Sequence, residues 1–118
     1  MTQADQDHPE EQAPLPLMYA VGYWYARLRR GMTLGTRVVA INANAEVFLV
    51  KHSYTKGWHL PGGGVEGGET FDEAMRRELV EEANITLQAP AIFHGICLNR
   101  KLSRRDHVAV YIAREFSQ

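Results

Sequence analysis

The amino-acid sequence predicts a small α/β domain in which one amphipathic helix packs on a β-sheet. Three observations predict it: apolar, β-branched runs separated by turn residues, a glycine-rich stretch that no regular helix tolerates, and a capped helical pattern directly after that stretch. With 118 residues, 45% hydrophobic and 23% charged, the chain has the composition of one globular domain rather than of a disordered or fibrous protein.

The elements follow in order. Residues 1–16 are polar and acidic, lack the charge order of a secretory leader and are expected to form a disordered tail. Residues 17–34 are aromatic and basic: the run from Leu17 to Ala26 precedes Arg27, Arg29 and Arg30. It has about half of the roughly 20 apolar residues that a membrane span requires. It reads as a helix or strand packed on its own domain or on a partner, ahead of a segment lying on a membrane surface. The domain proper is expected over 35–118. Thr36–Ile41 and Val47–Val50 read as a hairpin, because Asn42-Ala43-Asn44-Ala45 between them has turn chemistry. Gly62, Gly63, Gly64, Gly67 and Gly68 then enforce a loop. Thr70-Phe71-Asp72-Glu73 matches a capping box, which starts a helix running to about Ala83. Two further strands are expected at Ala91–Leu98 and His107–Ala113, joined by the basic turn Arg100–Asp106.

Charge and cysteine usage restrict the function. A net charge of −1 produces no global field that would recruit nucleic acid or an anionic membrane, so any anion must be bound locally. Cys97 is the single cysteine; it has no partner for a disulfide and fits a reducing cytoplasm, where it reads as packing rather than as a reactive thiol.

The predicted helix carries the chemistry. At about 100° per residue, Phe71, Ala74, Met75, Leu79 and Ala83 form one apolar stripe toward the sheet. Glu78 and Glu82 fall close to the direction of Phe71, and Glu81 falls beside Ala74. Three carboxylates at the edge of a low-dielectric core take up protons or destabilise the fold unless a cation neutralises them. Mg²⁺, a hard ion that accepts carboxylate and phosphate oxygens, is the simplest remedy. The competing reading is a solvated acidic face with arginines at adjacent turns.

From Gly63 the chain reads Gly, five residues, Glu69, seven residues, then Arg77-Glu78-Leu79-Val80-Glu81-Glu82-Ala83-Asn84-Ile85. This resembles the Nudix box, Gly-x5-Glu-x7-Arg-Glu-(apolar)-x-Glu-Glu-x-Gly-(apolar), with Asn84 in place of the last glycine. Asparagine is the next most tolerant residue of the left-handed conformation at a helix end, so the departure bears on stability at about 1 kcal/mol rather than on catalysis.

The resemblance implies a Nudix-like mixed β-sheet with the box helix on one face. It implies Glu78, Glu82 and Glu81 as ligands of Mg²⁺ (or Mn²⁺), joined by the backbone carbonyl of Gly62, with Glu81 or Glu78 in the catalytic role of activating water. Arg77 and Glu69 correspond to a positioning salt bridge. The implied reaction is hydrolysis of a diphosphate linkage in a nucleoside diphosphate linked to a further moiety. The alternative is a nucleotide-binding module on the same scaffold without turnover. The likeness covers roughly 35–113, and only Arg114–Gln118 follow. The family's C-terminal helix and later acidic residue are therefore expected to be missing, with the far sheet face covered by Leu17–Leu28 or across a homodimer.

The substrate is less legible. Arg100, Lys101, Arg104 and Arg105 are candidates for phosphate binding, though a basic turn is more often simply solvated. His59, His94 and His107 lack metal-ligand spacing and read as polar or packing residues. Trp58 and Tyr54 read as loop anchors before base-stacking groups. The partners expected are a small nucleotide or other diphosphate, with no nucleic acid and no transmembrane segment.

Overall fold

Alternating burial along one strand organises the domain: in β1 (Thr33–Ala40), Thr36, Val38 and Ala40 are buried while Arg37 and Val39 between them are only half-buried. This is the two-residue period of a sheet with one face on a core. The computed structural model describes residues 16–53 and 56–118. The acidic tail short of Pro16, and Tyr54, lie outside the described residues. The chain divides into one unit ending at Gly31 and a second from Met32 to Gln118.

In the first unit, α1 (Leu17–Arg30) starts at Pro16, whose carbonyl accepts the N–H groups of Tyr19 and Ala20 at 2.9 and 3.1 Å. It stops at Gly31 and buries none of its residues. Of the helix and strand readings of this segment, the helix is the one adopted.

In the second unit, β1 lies parallel to β4 (Asp106–Ala113), which pairs antiparallel with β3 (Ile92–Leu98), so the three-stranded sheet is mixed, in the order β1-β4-β3. The register Val38↔Tyr111 and Ala40↔Ala113 puts the buried residues of both strands on one face. There α2 (Phe71–Ala83) packs Met75, Leu79 and Ala83, and Ile85 closes the core. The predicted α/β class and mixed sheet are those observed, and the helical stripe meets the sheet as its phase requires.

Both ends of α2 follow their sequence chemistry. The Thr70 hydroxyl accepts the Glu73 N–H at 3.1 Å and donates to the Glu73 carboxylate at 3.1 Å. The carboxylate thus answers the hydroxyl, where the full capping box would have it accept the threonine N–H. At the C-terminal end Asn84 adopts φ 54°, ψ 35°, and the Ile85 N–H reaches back to the Leu79 carbonyl at 3.0 Å.

Three expectations are corrected. The hairpin arm at Val47–Val50 is not a continuous strand. It consists of the isolated bridges Ile41↔Val47 and Val50↔His59, because its pairing switches within four residues from the end of β1 to the segment before the glycine loop. Cys97 is exposed rather than packed, since β3 is a sheet edge and Ile92, Phe93 and Ile96 on it are exposed as well. Trp58 is also exposed rather than held by burial, and its contact across the loop is with Lys51, whose Nζ lies 5.8 Å from its ring centre.

The last residues have a role the sequence did not reveal. Phe116–Ser117 form β5, antiparallel to β2 (Thr86–Leu87), and the Gln118 amide donates to the Ala83 carbonyl at 3.2 Å. The end of α2 is thereby tied to the end of the sheet.

Candidate functional site

The glycine loop meets β1 edge to edge. Thr36 N–H donates to the Gly63 carbonyl at 2.8 Å, Val38 N–H to Pro61 at 2.9 Å and Val65 N–H to Leu34 at 2.9 Å. So close an approach needs glycine. At Gly62, φ is 150° and a Cβ would collide with the Thr36 carbonyl; at Gly63 a Cβ would sit 2.7 Å from Cδ of Glu78. The missing side chain at Gly63 is the space that the Glu78 carboxylate fills.

Glu78 and Glu82, one helical turn apart, both meet this loop. Glu78 is nearly buried, lying against Gly63. Glu82 accepts the Gly62 N–H at 3.2 Å and faces His52 Nε2 at 3.7 Å. Burial pushes the Glu78 carboxyl above the usual carboxylate range; the Arg77 hydrogen bond opposes this and the Glu82 charge adds to it. Two crowded carboxylates, one with its anion disfavoured by burial, are the donor set that a hard divalent cation relieves. Glu78 and Glu82 supply carboxylate oxygens of the kind such an ion accepts.

Arg77 organises the acids around the loop. Its Nε and Nη2 donate to Glu69 Oε2 and Oε1 at 2.8 and 3.0 Å, a two-pronged pair. Nη2 also reaches the Gly64 carbonyl at 3.0 Å, and Nη1 lies between Glu78 Oε1 at 2.9 Å and Glu81 Oε2 at 3.3 Å. The Arg77 hydrogen bond holds the Glu69 carboxyl down at about 2, helped by the Glu66 N–H; the Glu69 bond in turn raises the Arg77 pKa. Glu81 is thus drawn to Arg77 and is largely exposed, while Glu78 and Glu82 lie together. Among the described residues, no three His, Cys, Asp or Glu side chains stand together at metal-holding geometry.

Other residues singled out from the sequence lie elsewhere. Arg100 and Arg104 line an open hollow with Leu98, and Arg105 stands on the same turn. The wall of that turn nearer the glycine loop is formed by Asn99 and Leu102. They enclose a cleft of about 260 Å³ with Leu34, Gly35, Gly63, Gly64 and Asp106. His59 lies beside His52, ring centres 5.9 Å apart, while His94 is exposed on β3 and His107 half-buried on β4.

Two features escaped sequence reasoning. His52 approaches Glu82 only because the chain folds back between Val50 and His59, and no spacing in the sequence signals it. Asp106, buried at the start of β4, accepts the Thr33 hydroxyl at 2.6 Å and the Asn99 amide at 3.0 Å. The acid that opens a strand right after a basic turn was the available hint.

Comparison with known proteins agrees with this geometry. The RNA pyrophosphohydrolase of Vibrio atlanticus is 39% identical over 56 residues, which are 48% of this chain and 33% of that protein. The putative 8-oxo-dGTP diphosphatase of Bacillus subtilis is 42% identical over 76 residues, 64% of this chain and 50% of that protein. The chain thus spans a third to a half of the length of these curated relatives. Among solved structures, the MutT NUDIX hydrolase from Burkholderia pseudomallei superposes with a TM-score of 0.62 at 26% identity, over 73% of this chain and 69% of that one. The MutT protein from Methanosarcina mazei Go1 shares the fold, with a TM-score of 0.63 at 22% identity over 74% of this chain and 67% of that one. The NUDIX domain family model matches residues 32–116, the whole of the sheet, glycine loop and acidic helix, and the chain therefore belongs to the Nudix family.

Proposed function

We propose that the second unit hydrolyses a diphosphate linkage in a nucleoside diphosphate linked to a further moiety, with Mg²⁺ or Mn²⁺ as cofactor. The observation that carries this reading is the placement of the Glu78 and Glu82 carboxylates against Gly62 and Gly63 of the glycine loop. Family membership supports it, since Nudix enzymes generally use divalent metal ions. The names of the relatives, an RNA pyrophosphohydrolase and a putative 8-oxo-dGTP diphosphatase, agree with a nucleotide phosphoanhydride as the bond attacked.

Glu78 and Glu82 are the principal ligands in this proposal, and the Gly62 carbonyl is a further one by family resemblance; in the structure it is the Gly62 N–H that donates to Glu82. A divalent cation held there supplies Lewis acidity toward phosphate oxygens and lowers the pKa of bound water. Glu81 is the ligand or base closest to solvent; on leaving Arg77 Nη1 it is free to accept a proton from the attacking water. Arg77 and Glu69 position and do not react: their pair fixes the glycine loop on the helix, and with it the cradle for Glu78. The cleft edged by Gly63 and Gly64 extends from this centre toward Asn99 and Leu102, so the nucleoside or its linked group is proposed to occupy it.

The test is a screen of the purified chain with Mg²⁺ or Mn²⁺ against nucleoside triphosphates, dinucleoside polyphosphates, ADP-ribose and other sugar nucleotides, and 5′-triphosphorylated RNA. Release of phosphate, pyrophosphate or mononucleotide from one class identifies the substrate. Saturable nucleotide binding without release from any class would overturn hydrolysis and leave the binding module.

A further inference from the structure

Helix α1 carries a surface whose chemistry is separate from phosphate hydrolysis. Leu17, Val21, Trp24 and Leu28 recur at i, i+4, i+7 and i+11, within about 60° of one another around the axis. Arg27 and Arg29 flank this stripe at about 100° on either side, and Arg30 lies opposite. Every residue of the stripe is at least 56% exposed, and no acidic residue occurs between Leu17 and Arg30. The flanking cations are held at its aromatic border. Arg27 Cζ lies 5.2 Å from the Trp24 ring centre, and Arg29 Nη1 donates to the Tyr25 hydroxyl at 3.4 Å.

A stripe of Leu, Val and Trp, bordered by aromatic rings and arginines, suits a boundary at which apolar matter meets negative charge. No helix among the described residues is long and apolar enough to cross a membrane, and α1 has 14 residues. A second copy of α1 offers no acid to the arginines that flank the stripe, so charge complementarity favours an anionic surface over self-pairing. An anionic bilayer answers both halves of the surface: acyl chains receive the stripe and phosphates receive the guanidinium groups, whose stems reach outward past the apolar contact. The four acids Asp5, Asp7, Glu10 and Glu11 that precede α1 in the sequence carry charge of the opposite effect, which salt reduces along with the attraction itself.

We propose that α1 is an interfacial anchor that lies flat on anionic phospholipid, with Leu17, Val21, Trp24 and Leu28 inserted at the acyl boundary and Arg27 and Arg29 on lipid phosphates. The inference does not depend on the hydrolase reading, since its readout is partition rather than turnover. The test uses the full chain with extruded vesicles of equal phosphatidylcholine and phosphatidylglycerol, and with phosphatidylcholine alone, followed by sedimentation and tryptophan emission. At least tenfold stronger partition to the anionic vesicles is expected, with a blue shift of emission that Trp24→Phe removes while sedimentation persists. Val21→Glu with Leu28→Glu is expected to abolish binding. Replacing Arg27, Arg29 and Arg30 by glutamine, which keeps helix propensity, is expected to reduce partition to the level on neutral vesicles; thermal melting checks that each variant keeps its fold. Absence of binding at low salt, equal binding to both vesicle types, or binding retained in the double glutamate variant would each overturn the proposal. So would a dimer in light scattering that the double glutamate variant dissolves, which would make a second copy the occupant.

Discussion

Arg77 holds Glu69 through two parallel hydrogen bonds, Nε to Oε2 at 2.8 Å and Nη2 to Oε1 at 3.0 Å, and so pins the glycine loop to the acidic helix across eight residues. The same guanidinium reaches the Gly64 carbonyl, Glu78 and Glu81. Its planar fork matters as much as its charge.

Arg77→Lys is therefore expected to fail as a conservative change. A lysine ammonium keeps the charge but cannot bridge both Glu69 oxygens and the Gly64 carbonyl in one geometry. Activity should fall roughly 10- to 100-fold, the usual cost of losing a partner that orients metal ligands. Wild-type kcat in the lysine variant, on a substrate found in the screen, would refute the positioning role.

The pair also predicts an acid limit. Glu69 titrates at about 2 in the folded chain against 4.5 ordinarily, because Arg77 and then the Glu66 N–H stabilise its anion. A carboxyl with a depressed folded pKa stabilises the fold fully above the unfolded value, and that contribution disappears as pH falls through the folded one. Stability should thus decline between about pH 4.5 and 2, and Glu69→Gln should flatten this part of the profile. Urea midpoints at pH 5, 4 and 3 for both proteins measure it; parallel profiles would contradict the assignment.

Added Mg²⁺ should raise the melting temperature, since an ion bound only by the folded chain stabilises it by about 1.4 kcal/mol at ten times its Kd. Glu82→Gln should remove that response and reduce kcat by more than the roughly 100-fold typical of outer-shell changes. Its fold should persist, because the amide oxygen can still accept the Gly62 N–H. Glu73→Gln, at the exposed start of α2, should leave turnover unchanged. Calorimetry with Mg²⁺ and assays of both variants separate these outcomes.

Gly63→Ala tests the cradle directly. The new Cβ would stand 2.7 Å from Glu78 Cδ, so the carboxylate must swing away. Because the group displaced is the end of a flexible side chain, the stability loss should stay within the roughly 1–3 kcal/mol of ordinary overpacking. The Mg²⁺-dependent rise in melting temperature should nevertheless disappear, and its retention would show that Glu78 does not depend on that space.

Asn84→Gly should stabilise the chain. Asn84 occupies the left-handed region at φ 54°, where a Cβ costs on the order of 1 kcal/mol and glycine pays no such penalty. A higher urea midpoint with unchanged kcat is the expected outcome, and an unchanged midpoint would mean that the asparagine conformation carries no strain.

The amino-acid sequence by itself determined the features that repeat within a few residues. The glycine loop, the Thr70 cap, the left-handed end at Asn84 and the phase that brings Glu78 to the buried side of α2 all follow from backbone sterics and helical periodicity, which act over a turn or two. Tertiary structure alone decided contacts between distant segments. Packing set Glu78 and Glu82 against the glycine loop, brought His52 to Glu82, joined Asp106 to Thr33 across 73 residues, and tied Gln118 to Ala83. It also broke the expected hairpin arm and left Cys97 exposed, because which strand lies at an edge depends on the order of pairing in the sheet and not on the composition of any strand.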